Sequence, residues 1–339
     1  SLISPFATVF FNVFDAAFAA VAGPPVLPAG STVTVKSSTL QYENGYVAHA
    51  DWYFPSDPNP QGLIYLQHGF LAQGPIYSYT AAALAEQTHS IVVAPTITSN
   101  FFAADGNWLG GSTMPAAAAD LFLNDRAALV ASASAAAGHP VTLPQKVVLA
   151  GHSLGGNFVL ATASDMADNN TIGNLAGVVL LDGVAFQPNL VASTVAKVPT
   201  TLPILDISSD PYAWNLYGQM AADLSTFRPG QFNGVQLVGG RHIDALQGGN
   251  PLIQLSEYIV AGFSQPQNIE AVKILATGWI NDMYAGNVIA APSDQPFEIP
   301  TSAGTATAYS IPAPATPLSP LDELLKAFEL FGTSAFLGA

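Results

Sequence analysis

A serine set among glycines at a strand-to-helix junction is the strongest chemical feature of this chain. Residues 145–150, QKVVLA, read as a short buried strand, and residues 157–166, NFVLATASDM, read as a helix. Between them stands Gly151-His152-Ser153-Leu154-Gly155-Gly156. So tight a turn forces the serine into a strained backbone conformation, and small residues at both flanks let the turn close. The hydroxyl is then presented above the end of the strand, while the Leu154 amide at the helix start points to where a negative oxygen would form. Ser153 is therefore the candidate nucleophile.

A serine hydroxyl attacks poorly until an imidazole takes its proton, and the imidazole needs a carboxylate to orient it. On a strand-turn-helix nucleophile the partners follow in the order acid, then histidine. Of the six histidines, His49, His68, His89, His139, His152 and His242, only His242 follows Ser153. It stands in Gly239-Gly240-Arg241-His242, just past the strand pattern VQLVG, where a loop would hang it over the serine. Two carboxylates compete for the orienting role. Asp182 follows its strand directly and precedes Gly183, which suits a sharp exposed turn, whereas Asp210 lies unusually close to the end of the next strand. Asp182 is the preferred acid and Asp210 the alternative. Asp206 falls inside its strand, and Asp244 reads as a loop or helix-start carboxylate. The turn His68-Gly69-Phe70-Leu71 after the strand LIYLQ offers a second backbone donor, the amide just past the glycine. Phe70 is the candidate there, with Leu71 next, and the His68 ring reads as a structural turn histidine.

The elements that must carry these residues alternate between strands and helices. Strand patterns occupy 32–36, 46–54, 63–67, 91–95, 145–150, 176–184, 202–210 and 235–240, with helical stretches near 78–88, 116–137, 157–166 and 252–284. Such alternation predicts a mostly parallel sheet with helices on both faces. The loop after residue 95 carries Phe101, Phe102 and Trp108, which would wall a substrate cleft if that loop leaves the strand end beside Ser153.

Both ends of the chain read differently. In residues 1–25 an apolar stripe, Phe6, Val9, Phe10, Val13, Phe14, Ala17, Phe18 and Val21, repeats at helical spacing between Ser4-Pro5 and Gly23-Pro24-Pro25. Asn12 and Asp15 lie off the stripe, which argues against a membrane span and for a helix docked on its own domain or facing a lipid or protein partner. A second amphipathic helix follows Ser319-Pro320, with Leu321, Leu324, Leu325, Phe328 and Phe331. The division expected is an N-terminal helix in 1–30, a catalytic domain over 31–284, a proline-rich extended linker over 285–319 and a C-terminal helix in 320–339.

Composition narrows the chemistry. Eight Lys+Arg against 23 Asp+Glu give a formal net charge of −15, so nucleic acid is excluded as a partner by the want of clustered cations. The chain has no cysteine, which removes disulfides, thiolate metal sites and a cysteine nucleophile. No phosphate-binding loop, dinucleotide fingerprint or metal-binding motif is present, so neither a cofactor nor a metal is expected. Lysine scarcity and a first residue other than methionine fit a secreted or cell-envelope protein freed of a signal peptide.

The set HGF at 68–70, GHSLGG at 151–156, LLDGV at 180–184 and GGRHID at 239–244 resembles the α/β-hydrolase superfamily, and within it the chlorophyllase and platelet-activating-factor acetylhydrolase branch. The resemblance covers about residues 45–262. It implies an α/β-hydrolase fold and an acid on the strand after the nucleophile, which favours Asp182. The expected activity is serine ester hydrolysis of hydrophobic or lipid esters through an acyl-enzyme. Two alternatives stay open: an acyltransferase using the same acyl-enzyme, and a catalytically weak envelope protein that binds lipid or a partner on a hydrolase scaffold.

Overall fold

The computed structural model describes residues 3–187 and 189–336. Residues 1, 2, 188 and 337–339 lie outside that range, as do the side chains of Ile3, Ser4 and residues 329–336, Phe331 included. After helix α1 (Ile3–Ala22) the strands come in chain order as β1 (Thr34–Gln41), β2 (Val47–Phe54), β3 (Gly62–Gln67), β4 (Ser90–Thr96), β5 (Val147–His152), β6 (Leu175–Leu181), β7 (Ile204–Ser208), β8 (Gly234–Leu237), β9 (Phe297–Thr301) and β10 (Gly304–Ser310). Side by side they run β1-β2-β4-β3-β5-β6-β7-β8-β10-β9. Strands β3 to β8 are parallel, and antiparallel pairs close the sheet at both ends.

The parallel strands are continuous apolar runs because both faces are covered. Alternate residues serve opposite faces: Leu63, Tyr65, Val147 and Leu149 join one core, and Ile64, Leu66, Val148 and Ala150 the other. Against the first face pack α3 (Thr113–Asp120), α4 (Ala127–Ala137), α5 (Leu154–Asp168), α6 (Leu190–Lys197) and α7 (Gln219–Phe227). Against the second lie α2 (Ser78–Thr88), α8 (Pro251–Ala261) and α9 (Pro266–Ala285). Helix α10 (Pro320–Phe336) ends the described chain.

Two sequence expectations are corrected. The single alanine-rich helix over 116–137 is two helices, α3 and α4, parted by Asn124 and Arg126 with φ of +52° and +56°. The Arg126 guanidinium is bonded to the carbonyls of Pro144 and Leu143 at 2.6 and 2.9 Å, and this tertiary anchoring overrides alanine's local preference. Residues 285–319 are not simply an extended linker. β10 pairs with β8 at Ala308 opposite Leu237, and β9 pairs with β10, burying Ile299, Ala306 and Ala308. The hairpin covers an edge of the parallel sheet, and its proline, Pro300, sits on the outermost strand where no further partner needs its N–H.

Helix α1 docks by a face beside its apolar stripe, which it shares at Phe14 and Phe18. Phe11 and Ala22 are buried, and the Asp15 side chain accepts a hydrogen bond from Thr98 Oγ1 at 3.0 Å. Gln73 Nε2 donates to the Asp15 carbonyl and Asn250 Nδ2 to that of Val21, at 3.0 and 2.7 Å. Phe6, Val9, Phe10, Val13 and Val21 face outward. By length and composition alone Pro5–Ala22 could cross a membrane, with a mean hydropathy of 1.6.

Candidate active site

The serine turn joins the end of β5 to the start of α5. Ser153 has φ +56° and ψ −125°, a conformation L-residues rarely adopt. Its neighbours have to be glycine: a Cβ on Gly151 would sit 2.1 Å from the Gly155 carbonyl oxygen, and one on Gly155 would sit 2.3 Å from that of Gln67. The turn therefore packs directly on the end of β3.

His242, five residues past β8, brings Nε2 to 2.7 Å from Ser153 Oγ. Its Nδ1 lies 2.7 Å from Asp182 Oδ2. Asp182 directly follows β6 with φ +46°, and its turn is sharp but buried, not exposed. Oδ1 accepts the Ser209 amide at 2.9 Å and Oδ2 the Ser209 hydroxyl at 2.6 Å, with Asn215 Nδ2 3.3 Å from Oδ1. Burial pushes the carboxyl up, but the His242 hydrogen bond and charge together with the Ser209 donors outweigh it and hold the pKa below the ordinary value of 3.8.

Asp210 does not reach the imidazole. Its Oδ2 accepts the Gly239 amide at 2.9 Å and its Oδ1 faces Gln236 Nε2 at 3.4 Å, so it braces the start of the histidine loop. Asp206 is buried inside β7, where burial and then the charge of Asp182 push its pKa well up. Asp244 Oδ2 accepts the Arg241 amide at 2.9 Å and closes the turn that carries His242.

Beside Ser153, the Phe70 and Leu154 amides donate to no acceptor among the described residues. The Leu71 amide, the other backbone donor in that turn, is taken by Ser99 Oγ at 2.8 Å. His68 is structural: the Ile97 amide donates to its Nε2 at 2.9 Å, leaving Nδ1 to donate to the Gly69 carbonyl at 2.7 Å, and burial lowers its pKa to about 4.

A buried chain of hydrogen bonds ties the three loops together. The Gly69 amide donates to the Tyr77 hydroxyl at 3.0 Å, which lies 2.6 Å from His152 Nδ1, and His152 Nε2 lies 2.5 Å from the His242 carbonyl. Burial first, then the nearby His242, lowers the His152 pKa to about 3. The ring is thus neutral, accepting from Tyr77 and donating to the His242 carbonyl. Tyr212 completes the support, its hydroxyl accepting the His242 amide at 2.5 Å.

Above Ser153 opens a cavity of about 590 Å³, lined by Phe70, Leu71, Val184, Phe186, Trp214 and Leu216, by Ile253 and Val260 of α8, and by Phe18 of α1. Phe101, Phe102 and Trp108 are not among its walls. They form an aromatic group to one side, with Phe101 5.5 Å from the Phe11 ring and 6.1 Å from that of Trp108, so their loop seats α1. Sequence reasoning missed Tyr77, Trp214 and Phe18 because nothing in their spacing ties them to Ser153. His152 stood in the serine motif, yet its partners are remote in the chain.

No family model matches the sequence, and no curated protein matches it either. Solved structures do resemble the fold. Brefeldin A esterase, a bacterial homologue of human hormone-sensitive lipase, superposes with a TM-score of 0.53 at 14% identity, covering 84% of this chain and 87% of its own. The hyperthermophilic esterase of the archaeon Pyrobaculum calidifontis gives 0.51 at 14% identity, over 82% and 91%. An arylesterase gives 0.50 at 14% identity, over 83% and 97%. At such identity the likeness is one of architecture, and with the mixed sheet covered on both faces it establishes that this chain has the α/β-hydrolase fold.

Proposed function

We propose that the protein is a serine ester hydrolase acting on hydrophobic carboxylic esters. Ser153 Oγ attacks the ester carbonyl while His242 Nε2 takes its proton, and Asp182 holds the imidazole by Nδ1–H and stabilises the imidazolium. The amides of Phe70 and Leu154 donate to the tetrahedral oxyanion, the second helped by the positive end of α5. Collapse expels the alcohol, which takes the proton from His242, and a water deprotonated by the same ring then opens the acyl-Ser153 ester. The observation that carries this reading is the unbroken line from Ser153 Oγ through His242 to Asp182, both steps 2.7 Å, at the floor of an apolar cavity.

Labelling with a fluorophosphonate probe tests it. A covalent adduct on Ser153 is expected at neutral pH, absent from Ser153→Ala and strongly slowed in His242→Ala. An unlabelled wild-type protein would sink the reading.

Finer assignments belong to the same proposal. Placement of the acid at the end of the strand after the nucleophile supports kinship with the chlorophyllase and platelet-activating-factor acetylhydrolase branch. The outward apolar faces of α1 and α10, with Leu321, Leu324 and Phe328 exposed on the latter, support contact with lipid or another hydrophobic partner, and the lysine-poor composition supports work outside the cytoplasm. Co-sedimentation with phosphatidylcholine vesicles checks the first of these, and failure to sediment counts against it.

A further inference from the structure

The cavity over Ser153 is walled mainly by apolar side chains, and one polar group in it has no part in the hydrolysis described above. Glu257, midway along α8, lines the same cavity as Ser153 and His242. Its Oε2 accepts a hydrogen bond from Gln254 Nε2 at 2.9 Å, and its Oε1 is buried with no partner among the described residues. Gln254 has nothing more to give: its amide nitrogen also donates to the Leu246 carbonyl at 3.1 Å, and its oxygen accepts the Gly248 amide at 3.3 Å. No lysine or arginine pairs with Glu257 among the described residues.

Burial pushes this carboxyl up to about 8, so near neutrality it is an uncharged acid. Since Oε2 already accepts from Gln254, the proton belongs on Oε1, where it makes a donor that lacks an acceptor. Buried donors are costly to leave unmatched, and apolar pockets orient their ligands through a few such groups. The place is also close to the chemistry. Tyr77 lines the same cavity as Glu257, and its hydroxyl is bonded to His152 beside the nucleophile.

We propose that Glu257 is a specificity-determining residue, whose carboxyl donates a hydrogen bond to an oxygen carried by the substrate in addition to its scissile ester. The preferred substrates are then neutral hydrophobic esters with an ether, hydroxyl or second carbonyl oxygen along the chain, in place of plain alkyl esters. This deepens the ester-hydrolase reading and rests on it.

The test compares kcat/KM in two arms. In the acyl arm, p-nitrophenyl octanoate is set against analogues in which one chain methylene at a time is replaced by an ether oxygen. In the alcohol arm, octyl acetate is set against acetates of the corresponding ether alcohols. In one arm an oxygen-bearing ester should be preferred by about tenfold or more, and Glu257→Leu should abolish or invert that preference. Glu257→Gln, whose amide N–H can still donate, should retain part of it and guards against a leucine variant that fails to fold, as melting curves will show. A ratio near one in every pair for the wild type, or a ratio that Glu257→Leu leaves unchanged, overturns the role of Glu257 while the hydrolase reading stands. If no ester is turned over and Ser153 takes no fluorophosphonate, the hydrolase reading falls and this inference with it.

Discussion

Asp182 and Asp210 differ in what they hold. Asp182 accepts from the imidazole, while its other bonds to Ser209 and Asn215 fix the carboxylate in place. Asp182→Asn preserves shape but puts an amide against His242 and favours the wrong tautomer, so kcat should fall by up to about 10⁴-fold with little change in KM. Asp210→Asn keeps an oxygen for the Gly239 amide and should cost less than about tenfold, since only a screened charge near the site is lost. Steady-state kinetics on one soluble ester separate the two, and a dead Asp210→Asn beside an active Asp182→Asn would move the acid one strand along. Ser153→Ala and His242→Ala should each abolish turnover, and their double variant should be no slower than either alone, because nucleophile and base act as a unit.

Elements matter here through the loops they hold in register. The Gly69–Phe70 turn after β3, the serine turn after β5 and the histidine loop after β8 come from separate strands, and the buried Tyr77–His152 pair links all three. Tyr77→Phe leaves the Gly69 amide and His152 Nδ1 unmatched, and kcat should drop by about 10- to 100-fold with a nearly constant KM if the pair aligns the reacting groups. A loss confined to KM, or to the melting temperature, would contradict that alignment. Helix α1 tests differently. Deletion of residues 1–22 removes the buried Phe11 and Ala22, exposes the apolar surface they cover and strips Phe18 from the cleft, so stability should fall by about 2–3 kcal/mol and KM should rise more for long-chain than for short-chain esters. Deletion of residues 319–339 should move the melting temperature far less, since α10 meets the body mainly at the turn 213–218, where Lys326 Nζ lies 5.2 Å from the centre of the Tyr217 ring.

At the scale of the molecule, buried acids set how stability responds to pH. Glu257 is raised from 4.5 to about 8 and Asp244 from 3.8 to about 7, both chiefly by burial. Across those windows the unfolded chain has released protons that the folded chain still holds, so stability falls as pH rises from about 5 to about 8.5. Asp182 works in the opposite sense: its lowered pKa contributes stability that is present above the ordinary carboxylate range and is lost as pH falls through the folded value. Asp244→Asn and Glu257→Gln should therefore gain in melting temperature relative to the wild type as pH is raised, and parallel melting curves at every pH would refute the assignment.

Sequence by itself determined the parallel core, because strands buried on both faces must read as unbroken apolar runs, and it singled out Ser153 as the candidate nucleophile, because glycines flank it at a strand-to-helix junction. It also singled out His242, the one histidine after the serine. Tertiary structure alone decided what depends on contacts distant in the chain. Of two carboxylates at the ends of neighbouring strands, the turn directions bring Asp182 to the imidazole and send Asp210 to the Gly239 amide. The alanine-rich stretch breaks where Arg126 finds carbonyls near residue 143, and a proline-rich stretch becomes a sheet edge because β8 offers it unpaired backbone. The cavity over Ser153 is built from α1, α8 and the segment around Trp214, not from Phe101, Phe102 and Trp108, because pocket walls are set by how elements pack, and local apolar content carries no record of which neighbour it will meet.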